Sequence, residues 1–311
     1  MKPQVISIVG PTAVGKSELA VQIAHQFNGE VISGDSMQIY KSMDIGTAKV
    51  TEEETEGIPH HMINIKEPNE SFSVAEFQER VSLLISEITS RQRLPVIVGG
   101  TGLYIQAVLY DFNFSSEKRN PDIVEKLEQE AAEQGIESLY NRLKTIDPAQ
   151  AAKVHPNNER RVIRALEVYE TTGQTLSHNH DDQSQNSPYI PHIIGLEMER
   201  TALYDRINTR VDEMLDQGLE EEVRSLYDQG FENCQSMKAI GYKEFIPYFK
   251  GEYSYERAVE LLKRNSRRYA KRQFTYFKNK LNVQWYSVNP LKKNDKNEKI
   301  LMDLAGMLEE T

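Results

Sequence analysis

The sequence predicts an α/β fold, in which a parallel sheet is flanked by helices and an all-helical segment is inserted. Three observations carry this reading. "VISIV" runs into a Gly-rich loop and then into "SELAVQIAHQF", with apolar residues at helical spacing, so the chain opens strand–loop–helix. Short apolar runs alternate with amphipathic helices up to about residue 112, as expected of strands buried on both faces. From Pro121 to Thr172 only helical patterns appear.

The elements follow in order. "GEVISGD" (29–35) reads as a second strand ending at Asp35, and "SVAEFQERVSLLISEIT" (73–89) as an amphipathic helix capped by Ser73. "LPVIVGGTG" (94–102) is a buried-type strand running into glycines. "PDIVEKLEQEAAEQG" starts with Pro and stops with Gly; 137–145 and "NERRVIRALEVYETTG" complete the helical insertion. The polar, Pro-terminated "SHNHDDQSQNSP" (177–188) reads as a flexible loop. "PHIIGLEM" (191–198) resumes the sheet, followed by three helical stretches, the last from about Ser254 to Lys280. "VQWYSV" (283–288) is a final strand, and one weak helix ends the chain. The expected domains are 1–114 with 190–311 as the sheet core and 115–189 as the insertion. No internal repeat is evident.

Composition bounds the function. The chain of 311 residues is 39% hydrophobic and 27% charged, ordinary for a globular protein. Its one cysteine, Cys234, allows neither an internal disulfide nor a cysteine zinc site. Together with the N-terminal apolar run Val5–Val9, too short for a signal peptide or a span, this leads us to expect a cytoplasmic protein away from membranes. The net charge of −10 is unevenly spread. Lys263, Arg264, Arg267, Arg268, Lys271, Arg272, Lys278 and Lys280 lie between 263 and 280 without one acid, leaving −18 on the rest. At 100° per residue, six of them (Lys263, Arg264, Arg267, Arg268, Lys271 and Arg272) share one half of a helix, and Leu262, Tyr269, Ala270, Tyr276 and Phe277 take the other. Such a face, without i,i+4 acids, suits a phosphate backbone.

"GPTAVGKS" (10–17) has the G-x-x-x-x-G-K-[ST] form of a phosphate-binding loop between a strand and a helix. Gly10, Pro11, Thr12, Ala13, Val14, Gly15, Lys16 and Ser17 would cradle phosphates with main-chain N–H groups and the helix N-terminus. Lys16 can reach the outer phosphates and Ser17 can ligate Mg²⁺. The fold is therefore expected to be P-loop NTPase-like. A hydrolase of this type normally ends a second strand in Asp, yet 94–102 ends in Gly99-Gly100-Thr101, and no paired-arginine lid is evident between the strands.

Asp35 stands at a strand's C-terminal end, where ligands gather in open parallel sheets. It suits general chemistry or the capping of a turn. Thr101 in "GGTGLY" suits a ligand contact or a helix cap. Arg160, Arg161 and Arg164 share a helix and could meet phosphates, bases or the nearby Glu159 and Glu167. His178 and His180 have H-x-H spacing without further ligands, and His60-His61 could line a site or pack.

Together "GPTAVGKS", "ISGDSMQIYKSMDIGTAK" (32–49), "GIPHH" (57–61), "VGGTGLY" (98–104), "HPNNERRVIRALE" (155–167), "MKAIGYKE" (237–244) and "YAKRQFTYFK" (269–278) resemble the bacterial tRNA dimethylallyltransferases. The motifs run in order from residue 10 to 278. The resemblance implies dimethylallyl diphosphate as donor and the exocyclic amine of adenosine 37, just 3′ of the anticodon, as acceptor, in tRNAs reading codons that start with U. It implies catalysis by Asp35 as base, Lys16 at the diphosphate, and Thr101 against the substrate base, with Mg²⁺ at Ser17. The anticodon stem-loop would meet Asp35, Ser36, Met37 and Gln38; Thr101; Arg160, Arg161, Val162, Ile163 and Arg164; Lys238, Ala239, Ile240, Gly241, Tyr242 and Lys243; and Lys271, Arg272, Gln273, Phe274, Thr275, Tyr276, Phe277 and Lys278. Eukaryotic relatives often add a C-terminal zinc finger, which this chain lacks; many members carry Thr where it has Ser17. A monomer is expected. The rival readings are a small-molecule P-loop kinase, an isopentenyltransferase acting on free AMP or ATP, and a non-catalytic RNA-binding module.

Overall fold

The computed structural model describes residues 2–112, 120–181, 186–289 and 293–309. The chain divides into two compact units: Met1–Leu109 with Ser187–Thr311, and Tyr110–Asn186.

The first unit opens with β1 (Gln4–Val9), α1 (Lys16–Gln26), β2 (Gly29–Ser33), the short α2 (Glu52–Thr55), β3 (His60–His61), α3 (Val74–Ser90), β4 (Leu94–Val98) and α4 (Gly102–Leu109). The second unit holds α5 (Pro121–Gln134), α6 (Ile136–Ile146), α7 (Pro148–Lys153), α8 (Glu159–Thr172) and α9 (Leu176–Asp181). The first unit then resumes with β5 (Ile190–Glu197), α10 (Arg200–Asp216), α11 (Leu219–Asp228), α12 (Ile246–Phe249), α13 (Tyr255–Lys280), β6 (Gln284–Ser287) and α14 (Lys293–Glu309).

The six strands form one parallel sheet in the order β3-β2-β4-β1-β5-β6. β1 is central, and Val5, Ile6, Ile8 and Val9 are wholly buried, which explains its unbroken apolar run. The core continues into α1 through Leu19, Ala20, Ile23 and Ala24 and into α10 through Leu203 and Ile207. β1, β2 and β4 end on the same side of the sheet, so Gly10, Gly34 and Gly99 turn out along one rim. That rim is where a parallel sheet collects ligands.

Caps explain most boundaries. Ser73 accepts the Glu76 N–H at 3.1 Å to start α3, and Ser254 accepts the Arg257 N–H at 3.4 Å to start α13. In the second unit Leu127, Leu139, Leu143, Val162, Ile163 and Leu166 form a core of their own. Asn120 caps α5 ahead of Pro121, and Asp147 caps α7 ahead of Pro148.

Three sequence expectations are corrected. The expected loop 177–188 begins as helix α9, because Asp147 accepts both the N–H and the hydroxyl of Ser177, at 3.0 and 2.6 Å. Residues 182–185 of that stretch lie outside the described residues. β3 has only two residues and carries too little pattern to be read from sequence. Three helical stretches were expected between β5 and the last strand; four α-helices and a 3-10 turn (Ser236–Lys238) are present there. Among the described residues no helix is long and apolar enough to cross a membrane.

Candidate active site

The phosphate loop leaves β1 at Val9 and enters α1 at Lys16. Gly15 sits at φ +103° immediately before the helix, a conformation that side-chain-bearing residues rarely adopt. The loop lines a cavity of about 550 Å³ with Thr12, Ala13, Gly15, Lys16 and Ser17. Asp35, Gly99, Gly100, Arg206, Arg210, Tyr269 and Gln273 add further walls. Lys16 Nζ donates to the Pro11 carbonyl at 2.7 Å, so the loop's cation is folded back onto the loop itself. Burial, reinforced by repulsion from Arg210, lowers the Lys16 pKa to about 7.

Asp35 follows β2 and does both things its sequence position allowed. One carboxylate oxygen accepts the Met37 N–H at 2.8 Å, which closes a turn, while the group also lines the cavity. Burial pushes its pKa above the usual carboxylate value, against N–H bonds from Met37 and Gln38 and the charges of Lys16 and Arg210. A carboxyl so placed holds a proton more readily than one in water. Thr101 lines neither cavity itself but hydrogen-bonds the side chain of Tyr269, which lines both. The Thr101 hydroxyl accepts the Ser36 N–H at 3.2 Å, beside Asp35, so it braces the turn that carries the carboxylate.

A second cavity of about 300 Å³ shares Thr12, Ala13, Asp35, Thr47, Ala48, Arg210 and Tyr269 with the first. Its other walls include Ser36, Met37, Lys238, Ala239, Ile240, Lys243 and Arg272. Asp35 therefore stands where two spaces meet. One is walled by the phosphate loop, the cations Lys16, Arg206 and Arg210, and the carboxylates Glu18, Glu54, Asp205 and Glu213; the other by small and apolar groups with Arg210, Lys238, Lys243 and Arg272 at hand. Among the described residues, Tyr269 is the sole aromatic side chain lining either.

Arg206 and Arg210 are the functional candidates that sequence reading missed. They stand four residues apart on α10, whose Leu203, Ile207 and Val211 are buried. Arg206 Nε donates to the Ala13 carbonyl at 3.0 Å, which brings a second cation onto the phosphate loop. The signal is the R-x-x-x-R spacing on α10, between β5 and β6, so the expectation of no paired arginines between the strands is corrected.

Gln273 Oε1 accepts the Thr12 N–H at 2.9 Å, and its Nε2 donates to the Gly100 carbonyl at 3.1 Å. A Cβ on Gly100 would come within 1.9 Å of that nitrogen, so a glycine is required there. The side chain is 5% exposed and joins the basic helix to the phosphate loop and the β4 turn.

Several residues expected to face RNA are interior. Val162 (0% exposed) and Ile163 (2%) fill the core of the second unit because they occupy the apolar side of α8. Tyr242 and Phe277 are fully buried. Tyr276 donates to Gln106 Oε1 at 2.6 Å, and Phe274 packs edge-on against Trp285. The Gln38 amide is engaged internally by the Ser33 hydroxyl and the Thr47 and Ala48 carbonyls. Arg164 pairs at 2.8 Å with Glu167, which is buried, while Arg160 and Arg161 are exposed.

On the positive arc of α13 one cation is paired with an acid and a second is tied down without losing its charge. Lys263 pairs with Asp212 at 2.5 Å and Arg267 donates to Asn208 at 2.6 Å, both partners on α10. Arg268, Lys271, Arg272, Thr275 and Lys278 are exposed. His61 packs against the buried Glu30 at 2.6 Å, with Arg91 at 2.8 Å on the same carboxylate. Among the described residues no group of three or more His, Cys, Asp or Glu side chains could hold a metal ion.

A phosphate loop opening onto a strand-end carboxylate and a second cavity, with no acid at the end of β4, defines a phosphate-loop transferase. The chain belongs to the IPP transferase family, whose family model matches residues 38–280. A tRNA dimethylallyltransferase of Oceanobacillus iheyensis is 60% identical over 310 residues, covering 100% of this chain and 99% of that protein. That of Bacillus licheniformis is 55% identical over 309 residues, covering 99% and 98%. Among solved structures, the full-length tRNA isopentenylpyrophosphate transferase from Bacillus halodurans is 51% identical with a TM-score of 0.76, covering 100% of this chain and 98% of that one. A eukaryotic dimethylallyltransferase acting on tRNA is 33% identical with a TM-score of 0.82, covering 95% and 76%.

Proposed function

We propose that this protein transfers the dimethylallyl group of dimethylallyl diphosphate to N6 of adenosine 37 in tRNAs reading codons that begin with U, releasing diphosphate. The observation that carries the reading is Asp35 at the junction of the two cavities, with Lys16 and Arg206 lining the loop cavity and Arg210 lining both. The relatives named for this activity over the whole chain length support it.

The donor's diphosphate occupies the loop cavity and the acceptor amine enters through the second. As the allylic C1–O bond breaks, its electron pair passes to the diphosphate. Lys16, Arg206, Arg210 and the loop N–H groups stabilise the charge that grows there. The N6 lone pair forms the new bond to C1, and the N6 proton passes to the Asp35 carboxylate. The raised pKa of Asp35 suits a group that must take a proton from a weakly basic amine. To reach this position the adenine leaves its stack. Arg268, Lys271 and Lys278, all exposed, meet the phosphates around it, and Arg160 and Arg161, exposed on the second unit, also serve tRNA phosphates.

The residues present fit a Mg²⁺ ion of the kind that accompanies a diphosphate. Such an ion keeps its waters and takes one or two protein oxygens, with the rest from the substrate. The exposed Ser17 hydroxyl in the loop cavity would hold it, and it would supply charge neutralisation at the leaving group. The protein acts as a monomer in the cytoplasm.

Labelled dimethylallyl diphosphate, Mg²⁺ and either unmodified tRNA or free AMP test the reading. Label on tRNA alone is expected. Label on AMP, or on neither acceptor, would replace it with a free-nucleotide prenyltransferase or a different P-loop activity.

A further inference from the structure

One carboxylate ties down the turn at Asp44–Gly46. Glu222 of α11 accepts the main-chain N–H groups of Asp44 and Ile45 at 2.8 Å each through Oε2. Its Oε1 accepts the Gly46 N–H at 3.0 Å and the Tyr242 phenol at 2.5 Å. Four donors on one ionised group make a strong anchor. The Tyr242 ring is wholly buried and lies so close to Gly46 that a Cβ there would be 2.5 Å from it. From the other end of the turn, the almost buried Lys49 ammonium donates to the Tyr40 carbonyl, Asp44 Oδ1 and Asn64 Oδ1 at 2.7, 2.5 and 2.7 Å.

These bonds reach the site by short covalent steps. Gly46 lines the second cavity, and Thr47 and Ala48 line both. Tyr242 sits between Ile240 and Lys243, which line the second cavity alone. Glu222 itself lines neither, so it acts on them only through the turn and Tyr242.

We propose that Glu222 is a positioning residue for the acceptor. With Tyr242 it locks the 46–48 turn and the 238–243 segment into one jaw, and the spacing of that jaw sets how the acceptor base is held beside Asp35. This assigns the "IGYKE" tyrosine an internal role instead of an RNA contact, and it rests on the function proposed above.

Glu222→Gln tests it, because the amide cannot serve all four donors. Whichever way it turns, two of them face its NH₂ group. We expect kcat/KM for tRNA to fall about tenfold or more, as a misplaced reacting group dictates. The Kd of inorganic diphosphate should stay within about twofold, since the loop cations are untouched. Glu222→Asp, which keeps the charge, should recover part of the loss. Tyr242→Phe, which keeps the packing, should lose less in the same direction and keeps the question open to test if Glu222→Gln folds poorly. Equal loss for tRNA and diphosphate, or no loss for either, would overturn the proposal. Wild-type protein run alongside separates the two ideas: if it too fails to modify tRNA, the function reading falls, not the jaw alone.

Discussion

Gln273 holds the Thr12 N–H at 2.9 Å across 261 residues of sequence. One N–H of the phosphate loop is thereby taken by the helix that also carries Arg268, Lys271 and Lys278. A second bond, from Gln273 Nε2 to the Gly100 carbonyl, joins the same helix to the turn after β4.

Replacing Gln273 by Leu leaves the buried Gly100 carbonyl and the part-buried Thr12 N–H without this partner, a loss of about 1–3 kcal/mol for the carbonyl and less for the N–H. The phosphate loop then loses its set position, and the Kd of diphosphate should rise about tenfold or more, as titration calorimetry would show. Gln273→Glu keeps an acceptor for Thr12 but points an oxygen at the Gly100 carbonyl, so its defect should be of similar size.

Asp35→Asn should lower kcat by about 10²–10⁴, the usual worth of a positioned base, while the affinity for unmodified tRNA is retained. Stability should move the other way. Burial holds the Asp35 pKa above its unfolded value, so the folded chain binds this proton more tightly than the unfolded chain does. The group's contribution is greatest at low pH and declines as pH rises through the folded pKa. Asp35→Asn should therefore raise Tm more at neutral pH than at pH 3.8 or below, where both forms carry a neutral side chain, measurable by calorimetry.

The pH dependence of kcat/KM for the donor should be bell-shaped. It rises as Asp35 ionises and falls as Lys16, with a pKa of about 7 in the free enzyme, loses its charge. Burial is the larger cause of the low Lys16 value and Arg210 the second. Arg210→Met should therefore move the alkaline limb to higher pH without restoring an ordinary lysine, and should weaken diphosphate binding at the same time. Initial-rate profiles of the two proteins compare directly.

The salt dependence of tRNA binding should map the exposed cations of α13. Changing Arg268, Lys271 and Lys278 to Gln should flatten the slope of log K against log salt by about 0.7–0.9 for each phosphate no longer neutralised. Lys263→Gln should leave the slope nearly unchanged, because that ammonium already pairs with Asp212. A filter-binding series from low to moderate salt reads both.

Much of this was legible in the chain itself. The strand order could not be read, but β1, β2, β4 and β5 could, since strands buried on both faces write continuous apolar runs. Ser73, Ser254 and the Pro121 start of α5 were equally plain, because caps and N-terminal prolines act locally. The phosphate loop and Asp35 were found from spacing and from their place at strand ends. Three kinds of information were not local. The family resemblance put Tyr242 and Phe277 among the RNA contacts, although helical periodicity already set Phe277 on the packing half of its helix; burial depends on what packs opposite, here Gly46 for Tyr242. Arg206 and Arg210 looked like ordinary surface residues of an amphipathic helix until α10 was laid along the phosphate loop. Lys263 and Arg267 looked free until α10 supplied Asp212 and Asn208. By itself, then, the sequence determined the elements, the loop and the carboxylate, because short-range sterics and periodicity govern them. Only the tertiary structure decided which cations remain exposed and which polar groups hold the site together, because each of those choices depends on a partner from a distant part of the chain.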